Sequence, residues 1–252
     1  MKKWVILSDY GLDDACAAVY LLDNRPKGQA IDIIAVAGNS DAAASYQNAK
    51  KLLGSYAGGL SGVRLVDSAA LAQPFANLPS IHGADGMGDL LPPCEPKVPT
   101  LAYADWLAEK PDGFLLVSLG PATVTLDILN KCGAQELLIM GGHIDAAPNF
   151  NGYEFNHYLD IPAFNAVLRY PHRCATLDTC RHPRFNDAGK KRGGAALLDR
   201  LIDRAIDLAV ARHPDNCYIY DYIAVHDLIC PGLFAVEERI DLEGNTVHQL
   251  KA

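Results

Sequence analysis

The chain of 252 residues is half hydrophobic and 21% charged, and its formal net charge is -8. This length and composition are typical of one globular domain, which we expect to span residues 1–252. The acidic balance argues against binding to a nucleic-acid backbone, which needs clustered lysines and arginines. The sequence also lacks an apolar run of about 20 residues, the length of a transmembrane helix. We therefore expect neither a nucleic-acid nor a membrane partner.

Two features of the sequence favour a cytoplasmic protein. An apolar run at residues 4–7 follows two lysines but stops before Asp9, so it is shorter than the roughly 7–15 residues of a signal-peptide core. We interpret it as a first strand. The seven cysteines are scattered and form no C-x-x-C pair, which indicates neither a disulfide framework nor a zinc site.

Apolar runs of strand length alternate with helical patterns along the chain. The predicted strands cover residues 5–7, 31–37, 114–118 and 136–140. The predicted helices cover residues 13–22, 42–56 and 122–130, one begins near Asp160, and a long amphipathic helix covers residues 195–213. Such alternation is typical of βαβ crossovers. The predicted fold is an α/β domain with an open, mostly parallel sheet and helices on both faces.

Several predicted strands end in a turn that contains glycine, at residues 8–11, 38–39, 120–121 and 141–142. In open parallel sheets the ligand lies beyond the carboxyl ends of the strands. We therefore expect the active site at this edge of the sheet. A further segment, residues 67–99, is long and shows little periodicity, which is typical of a functional loop or of a disordered segment. The specific run IHGADGMG at 81–88 favours a functional loop.

Three carboxylates follow the first predicted strand, at Asp9, Asp13 and Asp14. Capping of the next helix explains one or two of them. Three crowded carboxylates repel one another, and a bound cation would relieve that repulsion. Oxygen ligands without histidine or cysteine favour Ca²⁺ or Mg²⁺, and calcium tolerates the irregular geometry of a site built from several strand ends.

Asp221 is the candidate for a fourth carboxylate at this site. It lies among aromatic and apolar residues, where a charged side chain is seldom fully buried unless it is paired. A half-exposed aspartate that caps a helix explains the same pattern equally well.

Together these motifs resemble those of the inosine-uridine-preferring nucleoside hydrolase family, in the family's order. The matching segments are LSDYGLDD at 7–14, AVAGN at 35–39, HGADG at 82–86, LGPAT at 119–123, MGG at 140–142, EFN at 154–156 and YDYIAV at 220–225. The resemblance implies a nucleoside-hydrolase-like fold. It also implies calcium-dependent hydrolysis of the N-glycosidic bond of small-molecule ribonucleosides, giving free base and ribose. The family tendency predicts a homodimer or homotetramer.

The resemblance also assigns roles to individual residues. It implies that Asp9, Asp14, Asp221 and the backbone carbonyl of Thr123 hold calcium, and that Asp9 is also the general base for the attacking water. Hydrogen bonds to the ribose hydroxyls are expected from Asp13, Asn39, Glu154 and Asn156, with Asn149 near the 5′-hydroxyl. His82 either contacts the substrate or fixes its loop.

Three positions depart from the family pattern. Leu7 replaces the first aspartate of the signature, and Tyr10 replaces its proline. Tyr220 replaces a histidine beside Asp221, and we expect it to act as the leaving-group acid or to be a packing aromatic. These departures keep two other hypotheses open, namely a catalytically weakened nucleoside- or ribose-binding protein and a hydrolase for a modified ribosyl substrate. The preferred base is not predicted.

Overall fold

The computed structural model describes residues 2–69, 71–109, 111–134 and 136–252. Within these residues the strands are β1 (Trp4–Ser8), β2 (Ile31–Ala35), β3 (Val63–Asp67), β4 (Thr100–Ala102), β5 (Leu115–Ser118), β6 (Glu136–Met140), β7 (Arg173–Ala175), β8 (Ala235–Ile240) and β9 (Thr246–Lys251). They form a single sheet in the order β4-β3-β2-β1-β5-β6-β7-β9-β8. All neighbours are parallel except β8 and β9, which form an antiparallel hairpin at one edge.

Helices connect most of the parallel strands. They are α1 (Leu12–Asn24), α2 (Ala42–Ser55), α3 (Pro79–His82), α4 (Tyr103–Ala108), α5 (Ala122–Lys131), α6 (Phe155–Leu159), α7 (Ile161–Val167), α8 (Leu177–Cys180), α9 (Leu197–Arg212) and α10 (Tyr220–Ile229). The described helices include none with the length and apolar character that a membrane span requires.

The strand order reverses at β1, which pairs with β2 on one side and β5 on the other. Ser8 at the end of β1 aligns with Ala35, and Leu7 aligns with Ser118, so the carboxyl ends of these strands meet at one edge. In open α/β sheets such a switch point forms the crevice in which ligands bind.

The sheet separates two apolar cores because successive side chains of a strand point to opposite faces. Ile6, Ile33 and Val117 belong to the core that α1, α9 and α10 cover. Their neighbours Val5, Ile34 and Leu116 belong to the core that α4, α5 and α7 cover. The predicted α/β fold, with helices on both faces of a mostly parallel sheet, is therefore confirmed.

The predicted elements of the first 60 residues and the long helix at 195–213 agree with the structure to within a few residues. The sequence pattern did not indicate β3, because Arg64 interrupts its apolar run. Arg64 points along the sheet and donates to Asp32 of β2, with Nε 2.7 Å from Oδ1. Because this ion pair neutralises its charge, Arg64 is tolerated within a strand. Hydropathy alone therefore does not indicate β3.

Candidate active site

A pocket of about 260 Å³ lies beyond the carboxyl ends of the central strands. It is lined by nine of the residues predicted from the sequence: Asp9, Asp13, Asn39, His82, Asn149, Glu154, Asn156, Tyr220 and Asp221. A larger pocket of about 420 Å³ beside β4 is lined mainly by apolar groups and by none of these residues. The topology thus brings together residues from both ends of the chain.

Asp13, Asp14 and Asp221 form a cluster in which one carboxylate oxygen of each lies within 4.8 Å of the others. Asp14 is fully buried; its Oδ1 accepts from Ser8 Oγ at 2.7 Å, and its Oδ2 accepts from the Gly11 N–H at 2.9 Å. One oxygen of Asp13 and one of Asp221 are buried and have no hydrogen-bond partner among the described residues. Unpartnered buried oxygens are costly, and a cation would satisfy them.

The electrostatics of the cluster also fit a cation. Burial raises the pKa of Asp9, Asp14 and Asp221, and repulsion from neighbouring carboxylates adds to this effect. The ionised forms therefore need a positive charge nearby to be stable. A set made only of oxygen atoms on several chain segments suits a hard divalent ion such as Ca²⁺.

Asp9 lies beside this cluster, directly after β1. Asn39, in the turn that follows β2, holds its carboxylate. The Asn39 N–H donates to Asp9 Oδ2 at 2.7 Å, and Asn39 Nδ2 donates to Oδ1 at 2.9 Å. Gly38 lies so close that a Cβ atom on it would be 1.9 Å from Asp9 Oδ2. Asn39 therefore fixes the orientation of Asp9, in addition to lining the pocket.

Glu154 and Asn156 lie at the start of α6, on the other side of β1 from Asn39. Glu154 is 2% exposed, and its Oε2 accepts from the N–H groups of Gly142 and His157, each at 3.0 Å. Burial raises the pKa of Glu154 to about 7. Asn156 Nδ2 donates to the carbonyls of Leu119 and Met140, each at 3.3 Å, and so links the turns after β5 and β6.

His82 is the last residue of α3, in the long loop that follows β3. Its Nδ1 accepts from the Leu12 N–H at 3.1 Å and lies 3.6 Å from Asp13 Oδ1. Burial lowers the pKa of the His82 imidazole, which agrees with a neutral ring whose Nδ1 is an acceptor. His82 thus fixes the loop against the start of α1 and also lines the pocket.

Thr123 lies in the first turn of α5, and its hydroxyl donates to Asp160 Oδ2 at 2.5 Å. Within the segment 119–123, the residue that lines the pocket is Leu119, which directly follows β5. The role of the Thr123 carbonyl as a calcium ligand stays a prediction.

Leu7 and Tyr10, the two departures in the first motif, are both buried apolar contacts. Leu7 is fully buried in the core beneath α5, where it gives the carboxylates no polar support. Tyr10 has a left-handed backbone conformation with φ of 48° and packs into the opposite core. Its hydroxyl has no hydrogen-bond partner among the described residues.

Sequence reasoning missed two arginines that line the pocket, Arg181 and Arg212. Arg181 Nε donates to Tyr220 Oη at 3.2 Å, and its guanidinium carbon lies 5.9 Å from the centre of the Tyr220 ring. Burial raises the pKa of Tyr220, and the nearby Arg181 opposes this rise. No motif in the sequence marks either arginine, because both lie between residues 178 and 219, where none of the seven matching segments falls.

The model of the family described as inosine-uridine preferring nucleoside hydrolase matches residues 5–251. A comparison with curated protein sequences gives no match. Among solved structures, an inosine-guanosine nucleoside hydrolase is 23% identical, with a TM-score of 0.71, and the alignment covers 99% of this chain and 87% of that one.

Two further solved structures are similar over nearly the whole chain. The inosine-uridine preferring nucleoside hydrolase from Bacillus anthracis is 16% identical, with a TM-score of 0.69 and coverage of 100% of this chain and 94% of that one. A plant nucleoside hydrolase, the PpNRh1 enzyme, is 20% identical, with a TM-score of 0.67 and coverage of 99% and 87%. At these identities the structural likeness concerns the fold.

The match to this family model identifies the chain as a hydrolase acting on N-glycosyl compounds, and the switch-point pocket with its carboxylates is its candidate active site. The chain belongs to the inosine-uridine preferring nucleoside hydrolase family, whose model it matches over nearly its full length. The family resemblance stated from the motifs is thereby confirmed.

Proposed function

We propose that this protein is a calcium-dependent ribonucleoside hydrolase that releases free base and ribose. The observation that supports this most directly is the buried carboxylate cluster at the switch point of the sheet, with two oxygens that lack partners among the described residues. The ligands in the proposal are Asp9, Asp14, Asp221 and the carbonyl of Thr123. Asp14 and Asp221 belong to the cluster, and Asp9 lies beside it. The cluster's third member, Asp13, faces the ribose in the proposal. When bound, a calcium ion would supply a water of lowered pKa and hold it near the sugar.

Asp9 is the proposed general base that takes a proton from this water. Cleavage of a glycosidic bond proceeds through an oxocarbenium-like transition state, and the water needs a base on the face opposite the leaving group. Two hydrogen bonds from Asn39 hold the Asp9 carboxylate in one orientation, which lowers the entropic cost of proton transfer. The neighbouring carboxylates also stabilise positive charge on the sugar ring.

Most of the polar groups in the pocket suit the ribose of the substrate. The pocket is lined by Asp13, Asn39, Glu154 and Asn156. We propose that these four residues bind the ribose hydroxyls and that Asn149 lies near the 5′-hydroxyl. Such contacts hold the sugar in its reactive geometry. Tyr220 lines the pocket beside Asp221, and we propose that it belongs to the part of the site that receives the base. His82 would close the pocket by fixing its loop.

We further propose a cytoplasmic homo-oligomer, either a homodimer or a homotetramer. The support on this chain is the edge strand β8, where Val236 and Ile240 are 55% and 57% exposed, and the hairpin turn, where Leu242 is 78% exposed. Apolar side chains at an uncovered sheet edge favour association. Sedimentation velocity of the purified protein tests the proposal, which a monomer at high concentration would contradict.

The decisive experiment measures free ribose released from purine and pyrimidine ribonucleosides and their 2′-deoxy analogues, with calcium and with chelator. We expect calcium-dependent release that is lost for the deoxynucleosides. Asp9→Asn should lower kcat by about 10²–10⁴-fold because it removes the base while keeping the side-chain volume. Asp23→Asn, on the outer surface of α1, is the matched control. Binding of ribonucleosides without any release would instead support the binding-protein hypothesis.

A further inference from the structure

Two guanidinium groups lie in the candidate active site together with its carboxylates. Arg181 immediately follows α8, and Arg212 is the last residue of α9. Both line the same pocket as Asp9 and Glu154. Among the residues that the structure describes, neither arginine has a carboxylate oxygen within the 4.0 Å of an ion pair. Their charges are therefore available to a ligand.

Arg181 is held in one orientation by neutral groups. Its Nε donates to Tyr220 Oη at 3.2 Å, and its Nη1 donates to the Ala147 carbonyl at 2.6 Å. A guanidinium has five N–H donors, so these two bonds leave others free. Nη2 donates to no other described residue. Arg212 is exposed at the rim, and its Nη1 donates to the carbonyl of Ser80.

We propose that Arg181 is the catalytic residue that stabilises negative charge on the departing base, with Arg212 as a second cation at the rim. Tyr220 is a positioning residue that orients Arg181. The inference rests on the proposed ribonucleoside hydrolysis and concerns its leaving-group half. It predicts a preference for oxo bases, which delocalise negative charge onto an exocyclic oxygen that a guanidinium binds well.

Cleavage by this route needs no acid in the pocket, because the base leaves as an anion. As the bond between C1′ and the base nitrogen breaks, its electron pair stays on the base. The attacking water forms the new bond to C1′ and gives its proton to Asp9. The base leaves as an anion bound to the guanidinium and takes a proton from solvent after release. A preorganised cation stabilises such a developing charge without reorganisation during the reaction.

The test compares two nucleosides that differ in the charge of the leaving base. Hypoxanthine leaves inosine with developing negative charge, whereas the cationic base of 7-methylguanosine leaves as a neutral molecule. Arg181→Met should lower kcat for inosine by about 10²–10³-fold with little change in KM, as expected for loss of a transition-state interaction. Its kcat for 7-methylguanosine should stay within about threefold of the unaltered protein, because no anion needs stabilisation.

Arg184 provides a matched control. It lies three residues further on, with its guanidinium carbon 4.5 Å from the centre of the Phe185 ring, and it donates to the Leu233 carbonyl at 3.0 Å. Arg184→Met should leave both reactions unchanged. Arg181→Lys should recover part of the inosine activity, since it keeps the charge but loses the planar donors. Calcium binding by calorimetry should be the same in all of these variants.

Tyr220→Phe separates the positioning role of Tyr220 from the catalytic role of Arg181. It removes one bond to Arg181 but leaves the bond to Ala147, so the loss of kcat for inosine should be smaller than that of Arg181→Met. A larger loss in Tyr220→Phe, an equal loss of Arg181→Met on both nucleosides, or no loss on inosine would overturn this inference alone. Failure of the unaltered protein to cleave either nucleoside would overturn it together with the proposed function.

Discussion

At the scale of single residues, the position of the Asp9 carboxylate depends on the absence of a side chain at Gly38. A Cβ atom there would lie 1.9 Å from Asp9 Oδ2 and 2.8 Å from Asp9 Cβ. Asp9 is 1% exposed and is held by two hydrogen bonds from Asn39, so it has little room to move aside. The close approach of β2's turn to β1 therefore sets the geometry of the proposed base.

Gly38→Ala should consequently impair ribose release. A displacement of the general base by about 1 Å lowers turnover by roughly 10²-fold, and we expect a loss of that order in kcat. Gly59→Ala is the matched control, because a Cβ atom at Gly59 meets nothing within 4 Å. Steady-state kinetics and thermal unfolding of both variants provide the measurement. Full activity in Gly38→Ala would show that Asp9 does not need its observed position.

At the scale of elements, α6 begins with a carboxyl group that also belongs to the pocket. Glu154 caps the helix by accepting from the His157 N–H, and it accepts from Gly142 in the turn after β6. Burial nevertheless dominates and raises its pKa from 4.5 to about 7. The hydrogen bonds of the cap lower the pKa of Glu154, whereas its burial in the pocket raises the pKa by more.

This raised pKa predicts a pH dependence of stability in chelator-treated protein. Between pH 4.5 and about 7 the unfolded chain loses the Glu154 proton while the folded chain keeps it, so the free energy of unfolding falls as the pH rises. The full loss is about 3 kcal/mol. Glu154→Gln should remove only the Glu154 share of this slope and leave the share of Asp9, Asp14 and Asp221. Glu95→Gln, on the surface, should leave the whole slope unchanged. Urea unfolding at several pH values measures it; parallel profiles for Glu154→Gln and the unaltered protein would contradict the assignment.

At the scale of the whole molecule, the sequence predicts the parts of the fold and site that depend on local patterns. The run at 5–7 and the turn beyond it identified β1 and its carboxylates. A buried central strand is apolar, and binding residues in such sheets follow the carboxyl ends of the strands. The sequence did not predict Arg181, because its position depends on contacts with Tyr220 and Ala147 that lie far along the chain. Nor did it predict that Asn39 binds Asp9 directly, which follows from the register of β1 and β2.

The proposed cation site joins segments from opposite ends of the chain, because Asp9 and Asp14 follow β1 whereas Asp221 lies in the first turn of α10. Calcium should therefore stabilise the whole domain, by about 2.7 kcal/mol at a concentration 100 times the dissociation constant.

The affinity for calcium should also increase with pH. Burial raises the pKa of these carboxyls, so calcium binding must displace protons from them. Calorimetry in two buffers of different ionisation enthalpy measures the protons released, and thermal unfolding measures the stabilisation. Asp221→Asn should abolish both effects, and Asp105→Asn, on the exposed face of α4, should preserve them. Equal stability with calcium and with chelator would exclude the proposed site.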